Sequence, residues 1–397
     1  MQNLLFLAHR IPYPPNKGDK IRSYHFLKHL SAEYNVYLGT FIDEPTDWQY
    51  THKIDDLCVE THFQNLNPLN AKIRSLQGFL SGEALSLPYY KNKAMQDWVD
   101  KIIKQQVITK VLIFSSVMAQ FIKESHQVEM LVDFVDVDSD KWRQYSDSKS
   151  GVSKWVYQRE STFLLNYEKQ IAEKAKMSFF VSEQEAALFK TLAPQLSEKV
   201  SYVNNGVDTD YFSPEHKFAT PYSEGDDVLV FTGAMDYWAN VDAVKWFAET
   251  VIPGLIQSHP TLKFYIVGSR PAKEVLELAE NKNIIVTGAV DDVRPYLAHS
   301  LMAVAPLRIA RGIQNKVLEA MAMGKYIIAT SAAMEGIPHQ DNLAVLVADE
   351  VEELVKQINL LLLTQSTALK SNTNRDFVKA EFSWHNNVNR LSQMLQA

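Results

Sequence analysis

The sequence predicts an α/β protein with two successive domains, each built on a parallel β-sheet. Short apolar runs recur along the chain and alternate with segments of helical periodicity, a pattern typical of βαβ units. The 397 residues exceed what one ordinary core organises, because domains mostly span about 100–200 residues. Ligands bind beyond the carboxyl ends of the strands in such sheets, so we expect a site in a cleft between the domains.

The strand candidates of the first half are continuous apolar runs, which indicate strands buried on both faces. A helix is predicted over residues 21–30, and a long amphipathic helix over residues 154–176. The strands are predicted at residues 4–8, 36–42, 111–114, 130–137, 177–181 and 200–203.

A polar, proline-containing stretch from Ser213 to Asp227 is the predicted linker. After it, Asn240 is placed to cap a helix beginning near Val241, and a last helix is predicted over residues 386–395. The second set of strands is predicted at residues 228–232, 262–267, 284–286, 303–306 and 326–329. The predicted domains are residues 1–212 and 213–376, with a helical segment at 377–397 that packs back on the first domain.

Composition excludes several classes of protein. The formal net charge of −7 argues against a dedicated nucleic-acid-binding protein, which would carry a basic excess. The single cysteine, Cys58, builds neither a disulfide nor a cysteine-based zinc site, which fits the cytosol. No stretch approaches the ~18–20 apolar residues of a membrane span, and the short run Leu4–Ala8 does not fit a signal peptide. We expect a cytoplasmic protein that at most contacts a membrane surface.

The densest chemical signal lies between Pro306 and Gly324. A strand ends at Pro306, and a loop containing arginines and Gly312 opens a helix near Gln314. The N–H groups and positive end of such a helix bind phosphate. Three cations of this segment would add charge-assisted hydrogen bonds: Arg308, Arg311 and Lys316.

Glu319 lies further along the same helix, where its carboxylate would accept hydrogen bonds from two ribose hydroxyls. The alternative for the whole segment is a solvated basic loop followed by an ordinary helix.

Three further features have both functional and structural interpretations. Asp136 and Asp138 have three interpretations. They bind a metal, one of their carboxylates acts on the hydroxyl group of an acceptor substrate, or they cap a helix. A calcium loop is disfavoured because Lys141 stands where glycine is required. His9 follows the first strand, where it faces the acceptor or has a structural role. Residues 69–80 mix basic and apolar side chains, which suits either a membrane surface or ordinary packing.

Several segments of the chain, taken together with their order and spacing, resemble family-4 glycosyltransferases of the GT-B fold. In that fold two Rossmann-like domains face a cleft. The resemblance spans nearly the whole chain. The segments near the N-terminus and at Val132–Trp142 resemble more specifically the sugar transferases of exosortase-linked (PEP-CTERM) exopolysaccharide loci. The segments that carry it are residues 9–22, 132–142, 204–212, 231–233, 287–293, 312–324, 330 and 335–337.

The resemblance implies an enzyme that moves a sugar from a UDP- or GDP-sugar to a carbohydrate or polyprenyl-linked acceptor. It implies retention of anomeric configuration, with no cofactor and no metal. By resemblance, Gly18 faces the donor phosphates, Glu319 binds the ribose and the segment around Val290 holds the base. Arg308 and Lys316 would stabilise the leaving diphosphate. The other implied donor-binding residues are Gly233, Gly312 and Ile313; Arg311 joins them on its charge and not on the resemblance.

The sequence departs from this family at two places. The family commonly has two glutamates eight residues apart, but Arg311 stands eight residues before Glu319. The family also often has an arginine and a lysine after the strand equivalent to residues 228–232, and residues 234–240 contain neither. We interpret Arg311 as compensating for these cations. These departures keep open a catalytically silent carbohydrate-binding or scaffold subunit. A nucleotide-sugar epimerase or hydrolase also stays open, because the fold alone does not exclude it.

Overall fold

A computed structural model describes residues 1–15, 17–147, 149–310, 312–363 and 372–396. They form two compact units: Met1–Asn204 together with the chain from Asn387 onward, and Asn205–Asn386. Each unit has its own parallel sheet and surrounding helices, which confirms the predicted fold class. No helix among the described residues combines the length and apolar character that a membrane span requires.

The first unit has a seven-stranded sheet in the order β3-β2-β1-β4-β5-β6-β7. The apolar run that predicts β1 occupies the middle of this sheet, where the side chains of residues 4–8 are fully buried. The strands are β1 Gln2–Ala8, β2 Tyr34–Ile42, β3 Glu60–Asn65, β4 Lys110–Phe114, β5 Glu129–Val135, β6 Met177–Phe180 and β7 Val200–Tyr202. The helices are α1 Gly18–Leu30, α2 Thr51–Asp55, α3 Pro68–Ser75, α4 Gln77–Ser81, α5 Ser86–Tyr90, α6 Lys93–Gln105, α7 Asp138–Asp147, α8 Gly151–Lys174 and α9 Glu183–Leu192.

A buried ion pair fixes α1 on this sheet. Arg22 of α1 donates from Nε to Oδ2 of Asp133 on β5 at 2.6 Å, and both side chains are fully buried. Its Nη1 donates to the carbonyl of Val203, beyond β7, at 2.7 Å. A buried charge needs such partners because desolvation is costly. The pair therefore holds the start of α1, where Gly18 lies, against the sheet.

The long helix α8 stabilises two loops through buried carboxylates. Glu160 accepts hydrogen bonds from the backbone N–H groups of Leu85 and Ser86 at 2.6 and 3.1 Å. Two turns later, Glu168 accepts from the N–H and hydroxyl of Ser139, at the beginning of α7. Burial raises the pKa of Glu168 to about 8. Helix α8 thus fixes the segment that carries Asp136 and Asp138.

The second unit has a six-stranded sheet in the order β10-β9-β8-β11-β12-β13. Its strands are β8 Asp227–Thr232, β9 Leu262–Val267, β10 Ile284–Gly288, β11 Met302–Ala305, β12 Tyr326–Ala329 and β13 Val345–Val347. Its helices are α10 Trp238–Trp246, continued by a π-helical turn at Phe247–Val251, then α11 Ile252–Ile256, α12 Lys273–Leu276, α13 Arg294–His299, α14 Asn315–Ala322, α15 Val351–Leu363 and α16 Asn372–Glu381. The last helix, α17 Trp384–Gln396, begins in this unit and continues in the first.

The unit boundaries differ from the predicted domain boundaries by a few residues. Residues 205–212 belong to the second unit, because Arg375 of α16 donates hydrogen bonds to the carbonyls of Thr209 and Phe212. Residues 377–386 also belong to it, since Phe377 and Phe382 pack into its core. Only the chain from Asn387 onward returns to the first unit, where the Lys110 ammonium donates to the Leu395 carbonyl.

Candidate active site

The second unit has a switch in strand order between β8 and β11. From β8 the chain adds β9 and β10 on one side, then returns to place β11 on the other side of β8. Open parallel sheets bind ligands at such a point, beyond the carboxyl ends of the strands. Gly233 directly follows β8, and Pro306 opens the loop that follows β11. The structure therefore brings these two predicted segments to the same edge of the sheet.

Lys316 is the central cation at this edge. It lies in the first turn of α14, which begins at Asn315 as the loop pattern predicted. Its ammonium donates a hydrogen bond to Oδ1 of Asn240 and lies 4.3 Å from the ring centroid of Phe231, the penultimate residue of β8. An ammonium over a ring face is attracted by the ring quadrupole. The end of β8 and the start of α10 thus position the Lys316 charge.

Gly233 leaves room for this ammonium. A Cβ at this position would lie 3.3 Å from Lys316 Nζ and 2.9 Å from Asn240 Nδ2. Any larger residue would displace the pair, which gives a physical reason for glycine at the end of β8.

Asn240 has a different role from the predicted one. Helix α10 begins at Trp238 and its N-cap is Tyr237, so the expectation that Asn240 caps a helix near Val241 is wrong. Its Nδ2 donates to the carbonyl of Ala234 at 2.8 Å, which orients Oδ1 toward Lys316. Sequence reasoning missed this contact because it joins residues that are far apart in the chain. The signal available was a polar residue eight positions after the end of β8, in a segment that lacks the family's cations.

Glu319 lies one helical turn after Lys316, on the same side of α14. Within the described part of the chain, no hydrogen bond or ion pair engages its carboxylate. Burial raises the pKa of Glu319 to about 7, although the charge of Lys316 opposes this. Burial likewise lowers the pKa of Lys316 to about 7, and the charge of Glu319 opposes that. The site therefore holds a cation and a carboxylate that are both half-buried and one helical turn apart, an arrangement that suits binding of an anion and of hydroxyl groups.

Arg308 occupies a groove beside this cluster. Its guanidinium binds Asp242 of α10 through Nε, at 3.0 Å, and Nη2, and lies 5.8 Å from the ring centroid of Trp246. The groove has a volume of about 550 Å³ and includes the half-exposed Trp238. Helix α10 therefore holds both predicted cations, Lys316 through Asn240 and Arg308 through Asp242.

The other predicted donor-binding residues lie around the same loop or beyond the edge strand. Gly312 has φ 62°, a left-handed conformation that favours glycine, and its carbonyl accepts from the Gln314 side chain at 3.1 Å. Ile313 is buried in the core of the unit, so only its backbone is available to a ligand. Val290 follows β10 and packs partly against the core. Arg311 lies outside the described residues.

His9 lies at the equivalent switch in the first unit, between β1 and β4. Its ring stacks on Phe114, the last residue of β4, at a centroid distance of 5.9 Å. Its Nε2 lies 3.4 Å from Oδ2 of Asp19, in the first turn of α1 beside Gly18. Burial would raise the pKa of Asp19, but the hydrogen bond from His9 and the charge of Arg10 lower it well below its usual value. His9 and Gly18 are thus close together at one edge of this sheet.

Asp136 and Asp138 share one cation. The ammonium of Lys141 lies 2.6 Å from Oδ2 of Asp136 and 3.3 Å from Oδ1 of Asp138. Asp138 is the first residue of α7, and Asp140 pairs with Arg143 one turn along. Carboxylates at a helix N-terminus interact favourably with the helix dipole, so these contacts are those of the structural interpretation. The acceptor-side role predicted for the two aspartates stays a prediction.

Comparison with known proteins identifies the second unit. Residues 226–364 match the family described as Glycosyl transferases group 1. The second unit thus contains a segment similar to group 1 glycosyltransferases. The match includes β8, α10 and α14, and hence Gly233, Asn240, Lys316 and Glu319. The predicted enzyme class, glycosyltransferase, is confirmed. Among curated proteins, none matches this chain by sequence.

Solved structures show the GT-B fold over the whole chain. Sucrose-phosphate synthase from Thermosynechococcus elongatus is 17% identical with a TM-score of 0.70, over 100% of this chain and 98% of its own. HepE from Anabaena, solved with UDP and glucose, is 14% identical with a TM-score of 0.66, over 100% of both chains. WaaG, a glycosyltransferase involved in lipopolysaccharide biosynthesis, is 16% identical with a TM-score of 0.60, over 98% of this chain and 95% of its own.

Proposed function

We propose that this glycosyltransferase moves a sugar from a UDP- or GDP-sugar to a carbohydrate or polyprenyl-linked acceptor in bacterial exopolysaccharide synthesis. The observation that carries the proposal is the pair formed by Lys316 and Glu319 at the strand-order switch of the second unit. The proposed reaction retains the anomeric configuration and does not depend on a metal. The proposed location is the inner face of the plasma membrane.

The chemistry assigned to the pair follows from charge. Departure of the nucleotide leaves negative charge on its diphosphate, and a positioned ammonium stabilises that charge without reorganisation. Lys316 is held in place by Asn240 before the donor arrives. Glu319 has its carboxylate available to accept hydrogen bonds from the ribose. Arg308, and by the sign of its charge Arg311, would add positive charge to the same loop.

A panel of nucleotide sugars tests the proposal directly. We expect a UDP- or GDP-sugar to raise the thermal unfolding temperature, because a ligand that binds only the folded state stabilises it by mass action. A CMP-sugar, which has no diphosphate, is the matched control. Nucleotide release that depends on added acceptor would support a transferase. Conversion of the donor without acceptor would favour an epimerase or hydrolase, and binding without turnover would favour a silent subunit.

Removal of metal separates the proposed mechanism from a metal-dependent one. If Lys316, Arg308 and backbone N–H groups handle the diphosphate, activity should stay within about twofold in excess EDTA, since no step would use a divalent ion. Initial rates with and without EDTA measure this. Complete loss of activity that magnesium or manganese restores would instead favour the Asp136 and Asp138 metal interpretation.

A further inference from the structure

The helical segment 68–81 of the first unit has its large apolar side chains on the outside. Leu69, Ile73, Leu76 and Leu80 follow a spacing of three and four residues, which places them on one face of a helix. Their exposures are 71, 69, 56 and 93%.

The opposite face of the same segment is the one that packs inward. It contains the small residues Ala71 and Gly78, which are buried, and Arg74, which donates from Nε to the carbonyl of Pro88 at 2.6 Å. Ordinary amphipathic packing would bury the leucines and expose the polar side. This segment does the reverse, so packing within the unit does not account for its apolar stripe.

The beginning of α8 extends this surface. Trp155, 57% exposed, stacks on Phe79 of α4 at a centroid distance of 6.0 Å, and Val152, one turn earlier, is 79% exposed. We call the whole surface the outer apolar patch. Its six members are Leu69, Ile73, Leu76, Leu80, Val152 and Trp155. A contiguous exposed apolar surface of this kind marks an interaction site.

The segments that build the patch are basic in an otherwise acidic chain. Residues 68–91 and 149–160 contain six cations and two carboxylates, a net charge of +4, while the whole chain has −7. The cations are Lys72, Arg74, Lys91, Lys149, Lys154 and Arg159, and the carboxylates are Glu83 and Glu160. Glu160 is buried and Arg74 faces inward, so neither adds charge to the outside; the five other cations and Glu83 still give +4.

We propose that the outer apolar patch docks the first unit on an anionic lipid bilayer, with its leucines among the acyl chains and its lysines at the headgroups. A helix with exposed apolar residues on one side and lysines beside them binds the membrane interface. A second copy of this chain is disfavoured as the occupant, because a symmetric contact would place +4 against +4. The proposal does not depend on which sugar is transferred.

Vesicle flotation tests the docking surface. The wild-type chain should float with vesicles of phosphatidylcholine and phosphatidylglycerol, and less with phosphatidylcholine alone or at high salt. The double variant Ile73→Glu/Leu80→Glu should lower the partition coefficient by roughly tenfold or more, because two charged groups would enter the apolar region. The pair Leu276→Glu/Leu363→Glu, on leucines of the second unit that are 51 and 72% exposed, is the control and should float like the wild type.

The contribution of the basic residues to vesicle binding is measured with separate variants. Lys72→Ala and Lys154→Ala should each weaken binding to the anionic vesicles by about fivefold and leave binding to neutral vesicles unchanged. Thermal unfolding of every variant checks the fold. The proposal is overturned if the wild type does not float, or if the patch and control variants float alike. A dimer that Ile73→Glu/Leu80→Glu dissociates, without vesicle binding, would make a second copy the occupant.

Discussion

Replacing Lys316 by methionine is expected to lower kcat by roughly a hundredfold or more, with a smaller rise in the KM for the donor. Methionine keeps the length and packing of the side chain but removes the charge that we assign to the leaving diphosphate. Steady-state kinetics at varied donor concentration measure both parameters.

The control for this prediction is Lys273→Ala, which removes an exposed lysine of the same unit. The pH profile gives a second readout. Because the pKa of Lys316 is lowered to about 7, its ammonium is present below that pH and is lost as the pH rises. We expect kcat/KM to fall on the alkaline side in the wild type and this limb to disappear in Lys316→Met. Kinetics within twofold of the wild type would remove Lys316 from the mechanism.

Glu319→Ala is expected to weaken donor binding by about 2–4 kcal/mol, roughly thirty- to a thousandfold in Kd. The loss reflects two charge-assisted hydrogen bonds to the ribose. Isothermal calorimetry with UDP measures it, and Glu277→Ala, on a half-exposed helical residue of the same unit, is the control. An affinity equal to that of the wild type would place the ribose elsewhere.

The Glu319→Gln variant tests the coupling of the pair. The charge of Glu319 raises the pKa of Lys316, so its removal should move the alkaline limb of kcat/KM to lower pH. The acid limb, where the wild-type carboxylate becomes protonated below about 7, should be lost. Since the two groups interact, both limbs in the wild type belong to the pair and not to either residue alone.

The sequence predicted the buried strands but not the edges of the two sheets. All strands predicted from apolar runs are present: β1, β2 and β4 to β12. The strands that were missed are β3, a polar and half-exposed edge strand, and β13, a three-residue edge strand. An edge strand buries little surface, so its sequence does not need an apolar run. Its pairing is determined by its neighbour, which a local pattern does not reveal.

The candidate site shows the same limit. The loop and helix that carry Lys316 and Glu319 could be predicted, because a strand end, glycine and basic residues follow one another in the chain. The contact between Lys316 and Asn240 could not, because β9, β10 and β11 lie between them in the sequence. The pairing of Arg308 with Asp242 could not be predicted for the same reason. What was missed is the supporting set of contacts, which only the packing of α10 beside the loop creates.

The division of the first unit between two parts of the chain has a consequence for its synthesis. Val388, Leu391 and Leu395 of α17 are fully buried, yet the ribosome makes them after all of residues 205–386. The first unit emerges with the surface that α17 covers still open to water, while the second unit is complete at Asn386. The first unit would therefore lack α17 throughout the synthesis of residues 205–386, and a chaperone that binds exposed apolar surface would meet it during this interval.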